Sequence, residues 1–163
     1  MRSRFLVPIV LFVCVMLTAV ATARSGDVPV FFDLKELNLK VKETAVQKKV
    51  RDALGNTIES REGFNLAVVT LAGRSEKDGQ TTLGVAAFEA VYEEEGQAKV
   101  YPSSGVSCTE GFWGVAGQGN IEVYLYCEKG ESVEIKAAFS VPEGVKSFRV
   151  RYPTVAGGTA DLK

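Results

Sequence analysis

The chain has 163 residues, 46% of them hydrophobic, with 19 Lys and Arg against 20 Asp and Glu and no histidine. A formal charge of −1 is too near neutral to point to nucleic acid, and no basic tail is offered to anionic lipid. The lack of histidine removes the commonest general base, the serine triad in its usual form, and most zinc, copper and haem sites.

At the N-terminus, Arg2 and Arg4 make a short basic leader and residues 5–17 are almost wholly apolar. Ala21-Thr22-Ala23 supplies the small residues of a cleavage site, so residues 1–23 read as a signal peptide. An uncleaved anchor is the alternative, because the apolar run approaches the roughly 20 residues that span a bilayer. The Ala-x-Ala site and Pro8 favour cleavage after Ala23. Cys14 follows Leu11-Phe12-Val13, which lacks the small residues of a lipid-attachment box, and reads as signal core. Residues 24–29 then form a short tether, and residues 30–163 one domain large enough to bury a useful core.

Leu37, Leu39 and Val41 alternate with Asn38, Lys40 and Lys42, the pattern of a strand with one wet face. Residues 44–54 are ambiguous. Thr44-Ala45-Val46-Gln47 matches a capping box, Val46, Val50 and Leu54 recur every four residues, and Gly55 offers a stop, so local rules favour a short helix. Arg61-Glu62-Gly63 turns the chain into residues 64–72, apolar on both faces as a central strand covered on both sides should be. Residues 75–80 read as a polar hairpin-type loop. Residues 88–92 and 98–102 flank Glu93-Glu94-Glu95-Gly96, a hairpin whose acidic tip sits in solvent. Residues 121–127 form a further strand, with Tyr124 and Tyr126 opposite Val123 and Leu125. Val133, Ile135, Ala137, Phe139 and Val141 alternate strictly with mostly polar neighbours. Pro142-Glu143-Gly144 punctuates, and Phe148, Val150 and Tyr152 restart the alternation. Seven or eight short strands, without repeated amphipathic helices, predict an all-β antiparallel sandwich.

The stretch from Gly130-Glu131-Ser132 through the alternating strand, the Val141-Pro142 turn and the last strand to Tyr152 also resembles a known pattern. It is similar to the end of the small immunoglobulin-like domains of bacterial secreted and lipid-anchored proteins, the telokin-like or immunoprotective-antigen-like group. Residues 63–71 and 88–102 support the resemblance more weakly. Gly73-Arg74 stands where the family's strand usually ends in asparagine, and Lys129 where a proline often precedes the glycine. The resemblance implies an immunoglobulin-like sandwich outside the cytoplasm, with a strand or an irregular crossover at residues 44–54. The family carries no general catalytic motif, so no residue inherits a role from it.

Few residues invite chemistry. Cys108 and Cys127, an even pair in an exported chain, read as one disulfide. Closing that loop would stabilise by about 3 kcal/mol through the unfolded state; two buried free thiols are the alternative. Glu93, Glu94 and Glu95 are adjacent on a hairpin tip, and three neighbours pointing in different directions make a solvated run rather than an acid–base pair. Residues 105–120 are glycine-rich and hold Phe112 and the only tryptophan, Trp113. A disulfide-pinned loop presenting two rings would be a binding edge. Alternatively, Trp113 folds back to cap the core. Tyr101, Tyr124, Tyr126 and Tyr152 offer an aromatic face for stacking, or else a packed layer.

These readings converge on a secreted or envelope-associated, non-enzymatic binding or accessory module. No catalytic residue, metal or cofactor is expected, nor nucleic acid binding, nor membrane insertion once the signal is removed. The partner, an unknown protein or a small ligand, would meet a sheet face or the loop bearing Phe112 and Trp113. The alternative is a structural envelope protein that associates through its sandwich edge strands.

Overall fold

Short runs of β-branched and aromatic residues separated by turn chemistry give strands almost throughout. In the computed structural model, which describes residues 31–109, 111–117, 122–152 and 155–162, a single turn of 3-10 helix at Leu34–Leu37 precedes them. The strands are β1 (Lys40–Gln47), β2 (Lys49–Arg51), β3 (Thr57–Glu59), β4 (Phe64–Arg74), β5 (Gly79–Gly84), β6 (Glu89–Glu94) and β7 (Gln97–Pro102). They continue with β8 (Gly105–Thr109), β9 (Phe112–Val115), β10 (Glu122–Cys127), β11 (Ser132–Pro142), β12 (Ser147–Tyr152) and β13 (Val155–Asp161). The expected signal peptide and tether lie outside the described residues.

The chain is an antiparallel β-sandwich. A five-stranded sheet runs β1-β4-β11-β8-β9 and a four-stranded one β13-β12-β6-β7, while β10 pairs with β5 and β2 with β3. Strands outnumber the seven or eight expected because the arms of β2–β3 and β8–β9 and the last strand, β13, were too short or too glycine-rich to show as alternation. The spine is β4 against β11, in register from Arg74↔Ser132 to Phe64↔Pro142.

β4 shows why its sequence is apolar on both faces. Ala67, Val69 and Leu71 point into the main core between the sheets, with Ile135, Phe139, Phe148, Val150 and Tyr152. Leu66 and Val68 point the other way, into a second cluster with Ile58, Trp113, Val115 and Ala138. In the main core Phe139 meets Phe148 edge-on at 5.4 Å between ring centroids. Tyr152, fully buried, donates its hydroxyl to the Leu39 carbonyl at 2.9 Å. The ring thus counts as core, and its polar tip is satisfied.

The helix favoured by local rules at residues 44–54 does not form. Thr44, Ala45, Val46 and Gln47 continue β1, paired with Val69, Val68, Ala67 and Leu66 of β4. A long central strand beside the segment satisfies its backbone better than an isolated turn of helix would, so tertiary pairing overrides propensity. The start of β1 also shifts: Leu37 ends the 3-10 turn, and Asn38 in the left-handed region (φ 49) redirects the chain. Residues 75–80 do not close a hairpin either, since β5 leaves β4 and pairs with β10. Ser75 stays on the spine, its N–H bonded to Glu131 O and its own carbonyl accepting from Gly130 N. The acidic hairpin is as read: Glu94 pairs with Gln97 across Glu95 and Gly96, both at positive φ, the two-residue turn that matches strand twist.

Candidate functional site

The described part of the glycine-rich segment is a hairpin rather than a loop. β8 and β9 pair at Gly105↔Val115 and Val106↔Gly114, and Gly111, at φ 76, makes the turn. Trp113 lies on the inner side of this arm and is 8% exposed, whereas Phe112 is 41% exposed. Gly105 is required for that packing, because a Cβ there would sit 2.3 Å from Ile58 Cδ1. What remains beside the indole is a small groove of about 240 Å³, bounded by Glu43, Ala45, Val50, Thr70 and Lys136. Within the segment, Glu110 and residues 118–120 lie outside the described residues.

A residue that sequence reading passed over holds this region together. Asp52, buried at the tip of the β2–β3 hairpin, accepts from Leu54 N (2.9 Å) and Asn56 N (2.7 Å) at Oδ1. Its Oδ2 accepts from Asn56 Nδ2 (2.7 Å) and, across the fold, from Trp113 N (3.4 Å). Ala53 N donates to Gly111 O at 2.9 Å beside it. Burial pushes the carboxyl pKa up, but the donors from Asn56, Trp113 and Leu54 together outweigh it and hold the group below its usual value. The signal was available: Asp52-Ala53-Leu54-Gly55-Asn56 is Asx-turn chemistry.

The expected Cys108–Cys127 disulfide is not formed. They sit on strands of different sheets. Cys108 directs its sulfur to the Tyr124 carbonyl at 3.7 Å, while Cys127 is buried in the main core. Burial, with smaller contributions from Glu131 and Cys108, raises the Cys127 pKa, so it is a poor nucleophile.

The four tyrosines part company. Tyr152 is core, and Tyr101 stacks on Tyr92 at 5.8 Å between centroids. Tyr124 and Tyr126 remain on the outer face of β10, 48% and 68% exposed. They stand opposite Thr82 and Gln80 of β5, with exposed Phe31 bridged to Gln80 along the far edge of that strand. A groove of about 330 Å³ runs beside β10, lined by Cys108, Tyr126, Glu131, Ser132, Val133 and Glu134. A separate cleft of about 550 Å³ opens where β6 and β12 diverge, between Glu93 and Glu94 on one wall and Lys146 and Arg149 on the other. Glu93, Glu94 and Glu95 are all solvent-exposed. Among the described residues no three carboxylates or thiols gather as a metal site requires, and no helix is long and apolar enough to cross a membrane.

No protein-family model matches the chain, and no curated protein does. Among solved structures it is similar to an uncharacterized β-sandwich protein from Clostridium difficile 630. Identity is 11% over 77% of this chain and 84% of that one, with a TM-score of 0.46. At that level the likeness says nothing about function. The telokin-like resemblance rests on the sequence pattern of residues 130–152, with weaker support from residues 63–71 and 88–102.

Proposed function

We propose that this protein is a secreted or envelope-associated binding module, without catalytic chemistry of its own, that meets its partner through the outer face of β10. The exposure of Tyr124 and Tyr126 side by side on one strand carries this reading. Rigid aromatic rings give contact area at low entropic cost, and a sheet surface holds them in fixed spacing. On this reading the contact face is β10 rather than the Trp113 arm, since Trp113 is buried in packing. The basic leader, the apolar run and the Ala-x-Ala site support export, and the pattern of residues 130–152 supports an immunoglobulin-like, telokin-like module.

The test is chemical-shift mapping of the purified protein against a panel of soluble oligosaccharides and extended peptides, repeated with a Tyr124→Ala/Tyr126→Ala variant. The expected result is a ligand whose shifts cluster on β10 and β5 and vanish in the variant, with thermal stability unchanged. Shifts centred on another surface, or undiminished in the variant, would sink the reading. Association through a sandwich edge is the second reading, favoured by the one-sided pairing of β10 among the described residues.

A further inference from the structure

Exposed strand edges are usually blocked, and this molecule blocks most of its own. β1 carries Lys40 and Lys42 and a register break between Val41 and Glu43. β7 contains Lys99 and ends in Pro102. The outer edge of β5 is met by Phe31, and Phe32 N bonds to Gln80 O at 3.1 Å. β10 carries none of these devices among the described residues. Its run Val123-Tyr124-Leu125-Tyr126-Cys127 has no lysine, no proline and no register break, and it pairs with β5 alone among the described residues.

The backbone of two strands faces the groove beside it. Tyr124 directs its carbonyl away from β5, to Cys108. Main-chain groups alternate sides along an antiparallel strand, so the N–H and C=O of Tyr126 turn the same way. On the opposite wall, Ala138 O accepts from Ser104 N at 2.7 Å on the β8 side. The same alternation aims the main chain of Glu134 and Ser132 to that side. β8, however, pairs with β11 only from Lys136↔Ser107 to Ala138↔Gly105 and then departs. Glu134 and Ser132 therefore face the groove without a strand partner among the described residues. Two half-ladders, one on β10 and one at the start of β11, border a single slot.

The rim of the slot is acidic and aromatic. Glu131 and Glu134 line it, and Glu128 lines the adjoining cleft with a single lysine, Lys129. Glu131 uses Oε2 to accept from Glu128 N, and Glu134 pairs through Oε1 with Lys42, so among the described residues each keeps one carboxylate oxygen for another partner. Tyr124 and Tyr126 add ring faces that attract cations. We propose that this slot accepts an extended polypeptide segment of a partner protein, bearing lysine or arginine at alternate positions, which adds as a strand between β10 and the start of β11. The proposal rests on the binding reading above and names the mode and chemistry of the partner.

The probe is a short acetylated peptide of alternating lysine and valine, titrated into the purified protein by fluorescence anisotropy and followed by amide hydrogen exchange. Binding should weaken with salt and slow exchange at the Tyr126 amide. Methylating alternate peptide nitrogens removes strand donors, and a Glu131→Lys/Glu134→Lys variant reverses the rim. Each should lower affinity by roughly tenfold or more, with the variant's unfolding transition unchanged as the control for folding. No binding of the lysine peptide overturns the proposal, as does binding indifferent to the rim reversal. Self-association of the protein through β10 in sedimentation also overturns it, because a second copy would then be the occupant. Binding indifferent to N-methylation but lost in Tyr124→Ala/Tyr126→Ala sinks strand addition and leaves the aromatic-face reading standing. If no ligand of any class depends on those tyrosines, both fall.

Discussion

The two faces of β4 bury the same kinds of residue by different means. On the inner face, Ala67, Val69 and Leu71 meet long strands from the opposite sheet, and many large side chains share the load. On the outer face, Leu66 and Val68 are covered, among the described residues, by two short arms, β2–β3 and β8–β9, chiefly through Ile58 and Trp113. One core is redundant and the other depends on a single indole and on the carboxylate that ties the two arms together. The difference teaches where this fold is brittle. The main core can lose a methyl group and relax, whereas the outer cluster has little left to close over a lost ring.

Trp113→Ala should be the most damaging single change, costing about 3–5 kcal/mol as an aromatic truncation in a site with few neighbours able to collapse. Chemical denaturation of wild type and variant reads it directly, and a loss below about 1 kcal/mol would mean the outer cluster is not a core at all. In the wild type, Trp113 emission should be blue-shifted and poorly quenched by acrylamide. Gly73→Ala comes next, at about 1–3 kcal/mol. Its Cβ would lie 2.2 Å from Leu37 O, a backbone atom, so the 3-10 turn must lift off β4. Gly144→Ala is the contrast, since nothing lies within 4 Å of that position and no loss is expected. Tyr152→Phe keeps the ring and deletes one buried hydrogen bond, for about 1 kcal/mol. If it costs nothing, the Leu39 carbonyl has found another donor.

The thiols give a sharper local contrast. Cys108 should react with a thiol reagent in the native protein well before Cys127, which is buried and has a raised pKa. On unfolding, Cys108 and Cys127 should react at similar rates. Equal native rates, or no reaction after unfolding without reductant, would show that the two sulfurs are not in the state described.

Much of the sandwich was legible because alternation is a local signal. β4, β11, β12 and the β6–β7 hairpin could be read from their own residues. Even the fates of the tyrosines were written in parity: Tyr152 shares a face with Phe148 and Val150, whereas Tyr124 and Tyr126 stand opposite Val123 and Leu125. Grouping all four as one aromatic face ignored that parity. What stayed hidden depends on which distant segment lies alongside. Thr44 to Gln47 carry good helix signals and lose them to β4. β5 gives no local hint that it pairs with β10, and the side on which Trp113 packs is decided by Ile58 and Gly105, far apart in sequence. Asp52 is intermediate, since its turn was local but its reach to Trp113 was not.

That reach makes the outer cluster pH-sensitive where the main core is not. The folded-state pKa of Asp52 is depressed, because donors from Asn56, Trp113 and Leu54 outweigh the opposing effect of burial. A depressed carboxyl contributes stability that is present above its unfolded value, about 3.9, and is lost as pH falls from there through the folded value. Asp33, held down chiefly by the Lys35 N–H, and Glu36, held down by the Lys77 side chain, act in the same direction at the exposed 3-10 turn. The wild-type acid slope alone therefore cannot isolate Asp52, but its difference from Asp52→Asn can. The variant should be less stable at neutral pH and show a shallower fall in melting temperature between about pH 5 and pH 3. Trp113 emission should shift red over the same range in the wild type, because protonation weakens the acceptor at Trp113 N. Parallel acid slopes in the two proteins would show that the Asp52 carboxylate does not hold the arms together.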